Sequence, residues 1–298
     1  MKLNGIFPAL TTPFDADGAL ASDRLRENIS RYNRLPLTGY VAVGSTGESV
    51  LLSRAEVEQV FTAVREAAAP GKLLLAGVGS ESTPETISRA KAAADIGFDI
   101  ALVKTPSFFK SALTPDALVE HYRRVADASK LPVLLYAIPQ FTGVALEPDL
   151  VARLAEHPNI VGIKESSGNV QRVGEIVAAV PANFQVLVGS ADTLYASLAL
   201  GAVGGILALA DCLPELCLEL YSAFAAEQTA TARELNRRIL PASKKLVRQL
   251  GIAGVKAAMD YRGYYGGPVR GPLLPLSAAQ KREAEAVVNS LVATAAAD

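Results

Sequence analysis

The chain has 298 residues, of which 50% are hydrophobic and 20% are charged, with a formal net charge of −1. Such a composition suits a globular protein with a sizeable core, and it lacks the clustered basic residues that nucleic-acid binding requires. The first residues, MKLNGIFPALTTPF, lack the features of a signal peptide, and no apolar run reaches the ~20 residues that span a bilayer. We therefore expect a cytoplasmic protein without nucleic-acid or membrane partners.

Eight short apolar runs, each ended by turn residues, predict eight β-strands. In chain order they are GIFPALTTP from Gly5, GYVAVGS from Gly39, KLLLAGVGS from Lys72, IALVKTP from Ile100, PVLLYAIP from Pro132, IVGIKESS from Ile160, FQVLVGS from Phe184 and GGILALA from Gly204. Segments with helical spacing lie between these runs. Two of the segments have clear start signals, the Ser-x-x-Glu box of Ser53 and Glu56 and the Thr114–Pro115 pair.

Apolar strands that alternate with helices predict a parallel sheet covered on both faces, and eight such units predict an α/β fold of the (β/α)8 TIM barrel type. An open doubly wound sheet is the alternative, although no G-x-G-x-x-G motif follows the first strand. We expect the barrel over residues 1–212 and a C-terminal helical extension over 213–298. The predicted helices of the extension cover 213–228, 231–250 and 276–297, with an ordered loop before the last one.

The two cysteines and two histidines do not form a recognisable centre. Cys212 and Cys217 lie five positions apart at the start of a predicted helix, where we expect reduced packing residues. His121 and His157 have no second ligand at metal-binding spacing. Zinc chemistry and a serine–histidine triad are therefore not expected, and we predict no metal and no cofactor.

Active sites of these barrels lie at the C-terminal ends of the strands, so the polar residues that end the eight runs are the candidates for chemistry. They are Thr11, Thr12, Ser45, Thr46, Glu48, Ser80, Glu81, Lys104, Thr105, Tyr136, Lys164, Glu165, Ser166, Ser167, Ser190, Asp192 and Asp211. Hydroxyl groups dominate this set, which contains two lysines and no histidine. The inventory favours a lysine that attacks a ketone to form a Schiff base, with the iminium as electron sink.

Lys164 ends a buried apolar strand, where burial disfavours the charged form of a lysine and favours a nucleophilic amine. Tyr136, on the preceding strand, is a candidate proton shuttle. The same spacing argument applies equally to Lys104. Either lysine could instead form a salt bridge or extend its ammonium group to solvent. The segment GSTGES, residues 44–49, offers backbone N–H groups and hydroxyls for a small carboxylate, although a structural glycine turn is an equal alternative.

Seven segments, GIFPALTTPF, GSTGES, TPSFFK, LLYAIPQFTG, VGIKESSGN, VLVGSAD and GAVGGILALA, occur in an order and spacing that resembles the N-acetylneuraminate lyase and dihydrodipicolinate synthase superfamily. The segments HPNIVGIKESSGN and GYYGGPVRGPL are most similar to its 4-hydroxy-2-oxoglutarate aldolase branch. The resemblance implies a (β/α)8 barrel with a C-terminal helical addition, usually a homotetramer, that binds pyruvate or another 2-oxo acid through a lysine Schiff base without metal.

The resemblance also implies roles for individual residues. The Schiff-base lysine of the family falls on Lys164, which decides between the two lysines, and its Y-x-x-P tyrosine falls on Tyr136. The paired hydroxyls that hold the 2-oxo acid carboxylate fall on Ser45 and Thr46. Three further positions match residues that line the substrate pocket: Ser166, Gly189 and Ile206.

Two positions depart from the pattern of the family. Phe108 stands where a tyrosine usually enters the site of the neighbouring subunit and completes a proton relay, so the relay is one hydroxyl short. Phe141 stands where dihydrodipicolinate synthases place an arginine that holds their second substrate.

The sequence thus predicts a class I aldolase or lyase that cleaves a 4-hydroxy-2-oxo acid, such as 4-hydroxy-2-oxoglutarate, to pyruvate and an aldehyde. Dihydrodipicolinate synthase, with pyruvate and aspartate semialdehyde as substrates, is the nearest alternative. A sugar-acid lyase or dehydratase of the same superfamily is another, and a 2-oxo acid binding protein is the non-enzymatic one. We expect a homotetramer or dimer.

Overall fold

The fold is a (β/α)8 barrel, as predicted, seen in a computed structural model that describes residues 1–295. The strands are β1 (Gly5–Pro8), β2 (Gly39–Ala42), β3 (Leu73–Gly77), β4 (Ile100–Lys104), β5 (Val133–Ala137), β6 (Ile160–Glu165), β7 (Gln185–Val188) and β8 (Gly204–Leu207). They form one sheet in the order β1-β8-β7-β6-β5-β4-β3-β2. Each of the eight predicted apolar runs contains one of these strands.

Helices follow the strands along the chain. They are α1 (Ser22–Tyr32), α2 (Arg54–Ala67), α3 (Thr83–Ile96), α4 (Pro115–Ala128), α5 (Pro139–Thr142), α6 (Pro148–Ala155), α7 (Val170–Ala179), α8 (Leu194–Ala199), α9 (Pro214–Ala225), α10 (Thr229–Ala242), α11 (Gly251–Tyr261) and α12 (Ala278–Ala295). Within residues 1–295, none is both long enough and apolar enough to cross a membrane.

Local sequence signals explain where two of these helices begin. The Ser53 side chain accepts a hydrogen bond from the N–H of Glu56, whose carboxylate accepts one from the N–H of Ser53, so the predicted capping box closes ahead of α2. Thr114 caps α4 by accepting from the N–H of Ala117, and Pro115 occupies the first helical position. Both caps satisfy N–H groups that the first helical turn leaves without partners.

The chain divides into two compact units. The first comprises residues 1–5 and 73–206, and the second comprises residues 6–72 and those from 207 onward. In the first unit, β3 to β8 pair in parallel, with one register shift in the β5–β6 pair between Val133 and Leu134. The predicted domain boundary after residue 212 stays a prediction. The last three residues of the predicted extension, 296–298, lie outside the described residues.

In the second unit, the C-terminal helices differ from the prediction in two places. The predicted helix over 231–250 contains Pro241 and continues from Ser243 to Gln249 as a π-helix, because proline removes a backbone donor and disturbs the regular ladder. The helix α11 lies outside the predicted helices, and it contains Gly251 and Gly254, residues of low helix propensity. Gly254 is nevertheless helical, and a side chain there would collide with the Leu246 carbonyl.

The segment between α11 and α12 is an ordered loop, as expected. Tyr264 stacks on Tyr32 with ring centroids 4.8 Å apart. The Tyr265 backbone carbonyl accepts a hydrogen bond from the Asn28 side-chain amide, and the Tyr265 N–H donates one to the Asn28 side-chain oxygen. The Tyr265 hydroxyl donates to the Phe14 carbonyl at 2.9 Å. These contacts attach the loop to α1 within the second unit.

Candidate active site

Lys164 is buried at the C-terminal end of β6, with 3% of its surface exposed. Its strand partners in register are Tyr136 on β5 and Leu187 on β7. The ammonium nitrogen lies 4.2 Å from the centroid of the Tyr136 ring, which is also 3% exposed. Residues in the same register of a parallel sheet point to the same face, so the two predicted catalytic side chains lie together.

Lys104 occupies the same register on β4, where it is the partner of Tyr136 on the opposite side from Lys164. Its ammonium lies 3.2 Å from Glu81, whose carboxylate also accepts hydrogen bonds from Ser107 and from the N–H of Phe108. Burial would raise the pKa of Glu81, but these hydrogen bonds outweigh it and hold that pKa at about 2. Lys104 is therefore paired with an ionised carboxylate, a contact that spacing alone does not reveal.

Ser166 and Gly189 lie beside Lys164. The N–H of Ser166 donates to Ala137 at 2.9 Å, and the N–H of Gly189 donates to Glu165 at 2.7 Å. A side chain at residue 189 would overlap the Ser166 hydroxyl and would come within 3.2 Å of Lys164 Cε. Glycine at this position therefore leaves the space that the lysine occupies.

Ile206, the remaining predicted pocket residue of this unit, is fully buried on β8. The structure thus brings Lys164, Tyr136, Ser166 and Gly189 together, and it places Ile206 in the same unit.

Glu165, next to Lys164, has a carboxyl group that is 2% exposed and accepts two hydrogen bonds from Ser167. Burial raises its pKa despite those hydrogen bonds.

Ser45 and Thr46 belong to the second unit and are half-buried in a tight loop after β2. The N–H of Glu48 donates to Ser45 at 3.0 Å and closes the turn. Val43 and Glu48, which flank the two hydroxyl residues, have the left-handed φ angles of 57° and 55°. Sequence reasoning located this loop but gave no indication of the unusual backbone that shapes it.

Phe108 and Phe141, the two departures from the family pattern, are both exposed, at 78% and 68%. Phe108 packs edge-on against the neighbouring Phe109, with ring centroids 5.0 Å apart. Phe141 lies in the short helix α5, and Gln140 in the same helix donates from its amide to the Ser166 carbonyl at 2.7 Å. Gln140 is a site neighbour that the sequence did not single out, and no motif identifies it.

The cysteines and histidines occupy structural positions. Cys212 and Cys217 are buried and reduced, as expected. His121 contacts the Thr83 hydroxyl at 2.8 Å, and His157 lies 3.0 Å from Asp127. Among residues 1–295, no group of three or more His, Cys, Asp or Glu side chains is arranged to hold a metal ion.

Comparison with known proteins agrees with this geometry. The profile of the dihydrodipicolinate synthetase family matches residues 2–291. A relative named 4-hydroxy-tetrahydrodipicolinate synthase, from Methanothrix thermoacetophila, is 39% identical over 274 residues, or 92% of each chain.

Two solved structures of pyruvate complexes are also similar. The chloride-inhibited dihydrodipicolinate synthase of Acinetobacter baumannii has a TM-score of 0.93 and 32% identity, with 98% of this chain and 99% of the other covered. YagE, a prophage protein of the dihydrodipicolinic acid synthase family from E. coli K12, has a TM-score of 0.92 and 27% identity, with 98% and 99% covered. The chain therefore belongs to the dihydrodipicolinate synthetase family, and it is a carbon–carbon lyase of the pyruvate-dependent class I type.

Proposed function

We propose that the protein is a class I aldolase that cleaves a 4-hydroxy-2-oxo acid, such as 4-hydroxy-2-oxoglutarate, to pyruvate and an aldehyde. The observation that carries the proposal is the buried Lys164 at the end of β6, with the Tyr136 ring 4.2 Å from its ammonium nitrogen. A lysine removed from water is suited to act as an amine nucleophile, and a phenol beside it is suited to move a proton.

In this reaction the neutral Lys164 amine attacks the C2 carbonyl and forms a carbinolamine. Tyr136 donates its phenol proton to the C2 hydroxyl, which leaves as water, and an iminium and a Tyr136 phenolate result. The Tyr136 phenolate formed in that step then accepts the proton of the C4 hydroxyl as the C3–C4 bond breaks. The electron pair of that bond moves into the iminium and forms an enamine, while C4 leaves as the aldehyde. Tyr136 returns this proton to C3 of the enamine. Hydrolysis of the resulting iminium then releases pyruvate, restores the neutral amine and gives the Tyr136 phenolate back its proton.

Ser45 and Thr46 stay the predicted ligands of the substrate carboxylate, through their hydroxyls and the backbone N–H groups of their loop. Ser166, Gly189 and Ile206 stay the predicted lining of the pocket. The predicted homotetramer or dimer belongs to the same proposal, and light scattering on the purified protein measures it.

The second candidate is 4-hydroxy-tetrahydrodipicolinate synthase, which would condense pyruvate with aspartate semialdehyde. It is favoured by the names of relatives that are 39% and 36% identical to this chain. Phe141 argues against it, because the carboxylate of the semialdehyde requires a charge-assisted partner, for which arginine is the best suited side chain. Phenylalanine supplies no hydrogen-bond donor.

The deciding experiment compares two values of kcat/KM on one enzyme preparation. One assay follows pyruvate release from 4-hydroxy-2-oxoglutarate and a panel of other 4-hydroxy-2-oxo acids, including sugar acids. The other follows condensation of pyruvate with aspartate semialdehyde. We expect the larger value among the cleavage reactions, and a larger value for the semialdehyde would replace our proposal with the synthase. Lys164→Ala is the control and should lack both activities.

A further inference from the structure

The loop that carries Ser45 and Thr46 is held between two residues with unfavourable backbone conformations. Val43 and Glu48 have φ angles of 57° and 55°. Residues other than glycine rarely adopt this region, and a β-branched residue such as valine is an outlier there. Such conformations persist only where the surrounding structure determines them strongly. At Glu48, the contacts of its side chain stabilise this backbone conformation.

The Glu48 carboxylate is fully buried and has a partner for each oxygen. Oε1 lies 2.6 Å from the Lys256 ammonium, and the two side chains are 0% and 1% exposed. Oε2 accepts a hydrogen bond from the backbone N–H of Arg270 at 2.8 Å. A carboxylate this deeply buried is tolerated only when it is paired and hydrogen-bonded. The position of Glu48 therefore depends on Lys256.

Lys256, on α11, depends equally on Glu48. Its ammonium donates to the carbonyl oxygens of Thr12 at 2.8 Å and Pro268 at 2.7 Å, and it lies 4.6 Å from the centroid of the Phe14 ring. Two of its three protons are thus donated to carbonyl oxygens, and the Glu48 carboxylate, 2.6 Å away, is its counterion. Loss of either charge would leave the other buried without its counterion.

The same cluster also fixes the middle of the loop. The Thr12 hydroxyl donates to the Gly47 carbonyl at 2.6 Å. Gly47 lies so close to the segment after β1 that an added Cβ would come within 2.9 Å of the Leu10 carbonyl oxygen. Thr12 thus fixes the loop at Gly47, and Lys256 fixes it at Glu48. The Thr12 carbonyl also accepts a hydrogen bond from the Lys256 ammonium.

We propose that Lys256 is a positioning residue for substrate binding: it holds Glu48 in the left-handed conformation and thereby orients Ser45 and Thr46 toward the substrate carboxylate. This inference rests on the proposed function, because it takes the two hydroxyl residues as carboxylate ligands. Lys256 acts through Glu48 and has no contact of its own with the substrate.

The inference gives a specific expectation about which ketones are affected. A ketone with a carboxylate needs both Lys164 and the loop, whereas a ketone without one needs only the lysine. Misplaced hydrogen bonds to a charged group weaken binding by roughly tenfold to a hundredfold. Removal of the Lys256 charge should therefore weaken the binding of pyruvate but not the binding of acetone.

The test is borohydride trapping of the Lys164 adduct at increasing concentrations of pyruvate or acetone. The variant is Lys256→Met, which keeps the length of the side chain without its charge. The matched control is Lys245→Met, which removes the ammonium that lies 2.7 Å from Glu283 between the C-terminal helices. We expect Lys256→Met to raise the half-saturating pyruvate concentration at least about tenfold, with the same maximal labelling and an unchanged acetone curve. Lys245→Met should match the unaltered enzyme with both ketones.

The other outcomes separate the inference from the proposed function. The absence of any adduct in the unaltered enzyme would overturn both. Two results would overturn the positioning role alone, provided that the unaltered enzyme forms a normal adduct. In the first, Lys256→Met and Lys245→Met have the same half-saturating pyruvate concentration. In the second, Lys256→Met shifts the pyruvate and acetone curves together. If Lys256→Met fails to fold by circular dichroism, Glu48→Gln answers the same question, because it removes the charge but keeps an acceptor for the Arg270 N–H.

Discussion

The ammonium nitrogen of Lys164 lies 4.2 Å from the centroid of the Tyr136 ring, and the two residues are register partners on β6 and β5. Neighbouring strands are only ~4.8 Å apart. A substrate bonded to the Lys164 amine is therefore within reach of the Tyr136 phenol, as a proton shuttle requires. Gly189, which directly follows β7, lies beside this lysine, because a Cβ added there would come within 3.2 Å of Lys164 Cε.

Gly189→Ala should impair Schiff-base formation. The added methyl group would overlap the Ser166 hydroxyl and come within 3.2 Å of Lys164 Cε, so Ser166 must turn away and the lysine must shift by a few tenths of an ångström. A displacement of about 1 Å can cost ~100-fold in rate, so for this smaller shift we expect a loss of about tenfold in the rate of adduct formation, measured by trapping at saturating pyruvate.

Gly174→Ala is the matched control for this change. Its methyl group would lie 3.4 Å from Leu200, an ordinary contact, and alanine favours the helix α7 that contains it. The control should trap pyruvate at the normal rate. If Gly189→Ala does the same, the glycine has no part in the placement of Lys164.

Phe108→Tyr should raise kcat if the proton relay is one hydroxyl short. In the proposed oligomer, the hydroxyl of a tyrosine at this position would enter the site of the neighbouring subunit and restore the missing group. General acid–base catalysis contributes ~10² to 10⁴ in rate, and we expect an increase toward the lower value. Phe109→Tyr, on the adjacent exposed ring, should leave kcat unchanged. Equal rates for Phe108→Tyr and the unaltered enzyme would mean that another hydroxyl completes the relay.

Phe141→Arg should increase the condensation of pyruvate with aspartate semialdehyde. The residue is 68% exposed, so the chain can accommodate arginine, and a guanidinium can bind the carboxylate of the semialdehyde. The gain in kcat/KM should be roughly tenfold to a hundredfold. Phe109→Arg carries the same charge on a different loop and serves as the control. Similar gains in both variants would indicate a general charge effect instead of a specific contact.

His121 should make the stability of the fold dependent on pH in mildly acidic solution. Burial, assisted by the Lys104 charge, lowers the pKa of His121 to about 4. Between pH 6.5 and pH 4 the unfolded chain binds a proton that the folded chain does not, so stability falls as the pH falls through this range. The advantage in Tm of the unaltered protein over His121→Gln at pH 8 should therefore shrink toward pH 4. Parallel Tm curves would contradict this assignment.

Most of the fold could be predicted because its signals are local. Each strand is a short apolar run, and the capping box of Ser53 and Glu56 depends on residues three positions apart. The helix α11 was missed because it contains Gly254, a residue that usually disfavours helices. Glycine is required there because a Cβ would collide with the Leu246 carbonyl, and no local sequence pattern reveals this contact.

The site was predictable only in part, because contacts between residues far apart in the chain have no local sequence signal. Spacing left Lys104 and Lys164 equivalent, and the ion pair of Lys104 with Glu81 depends on tertiary structure. The pairing of Glu48 with Lys256 joins distant parts of the chain. A lysine within the apolar segment IAGVKAAM was the only sequence signal of that buried pair.

The central claim is that Lys164 is the nucleophile, and one measurement tests it most directly. The enzyme is incubated with pyruvate, reduced with borohydride, digested and mapped by mass spectrometry. We expect the reduced pyruvate adduct on Lys164, retained in Lys104→Ala and lost in Lys164→Ala, with the folded circular dichroism spectrum preserved in both. An adduct on Lys104, or no adduct on the folded enzyme, would contradict the account.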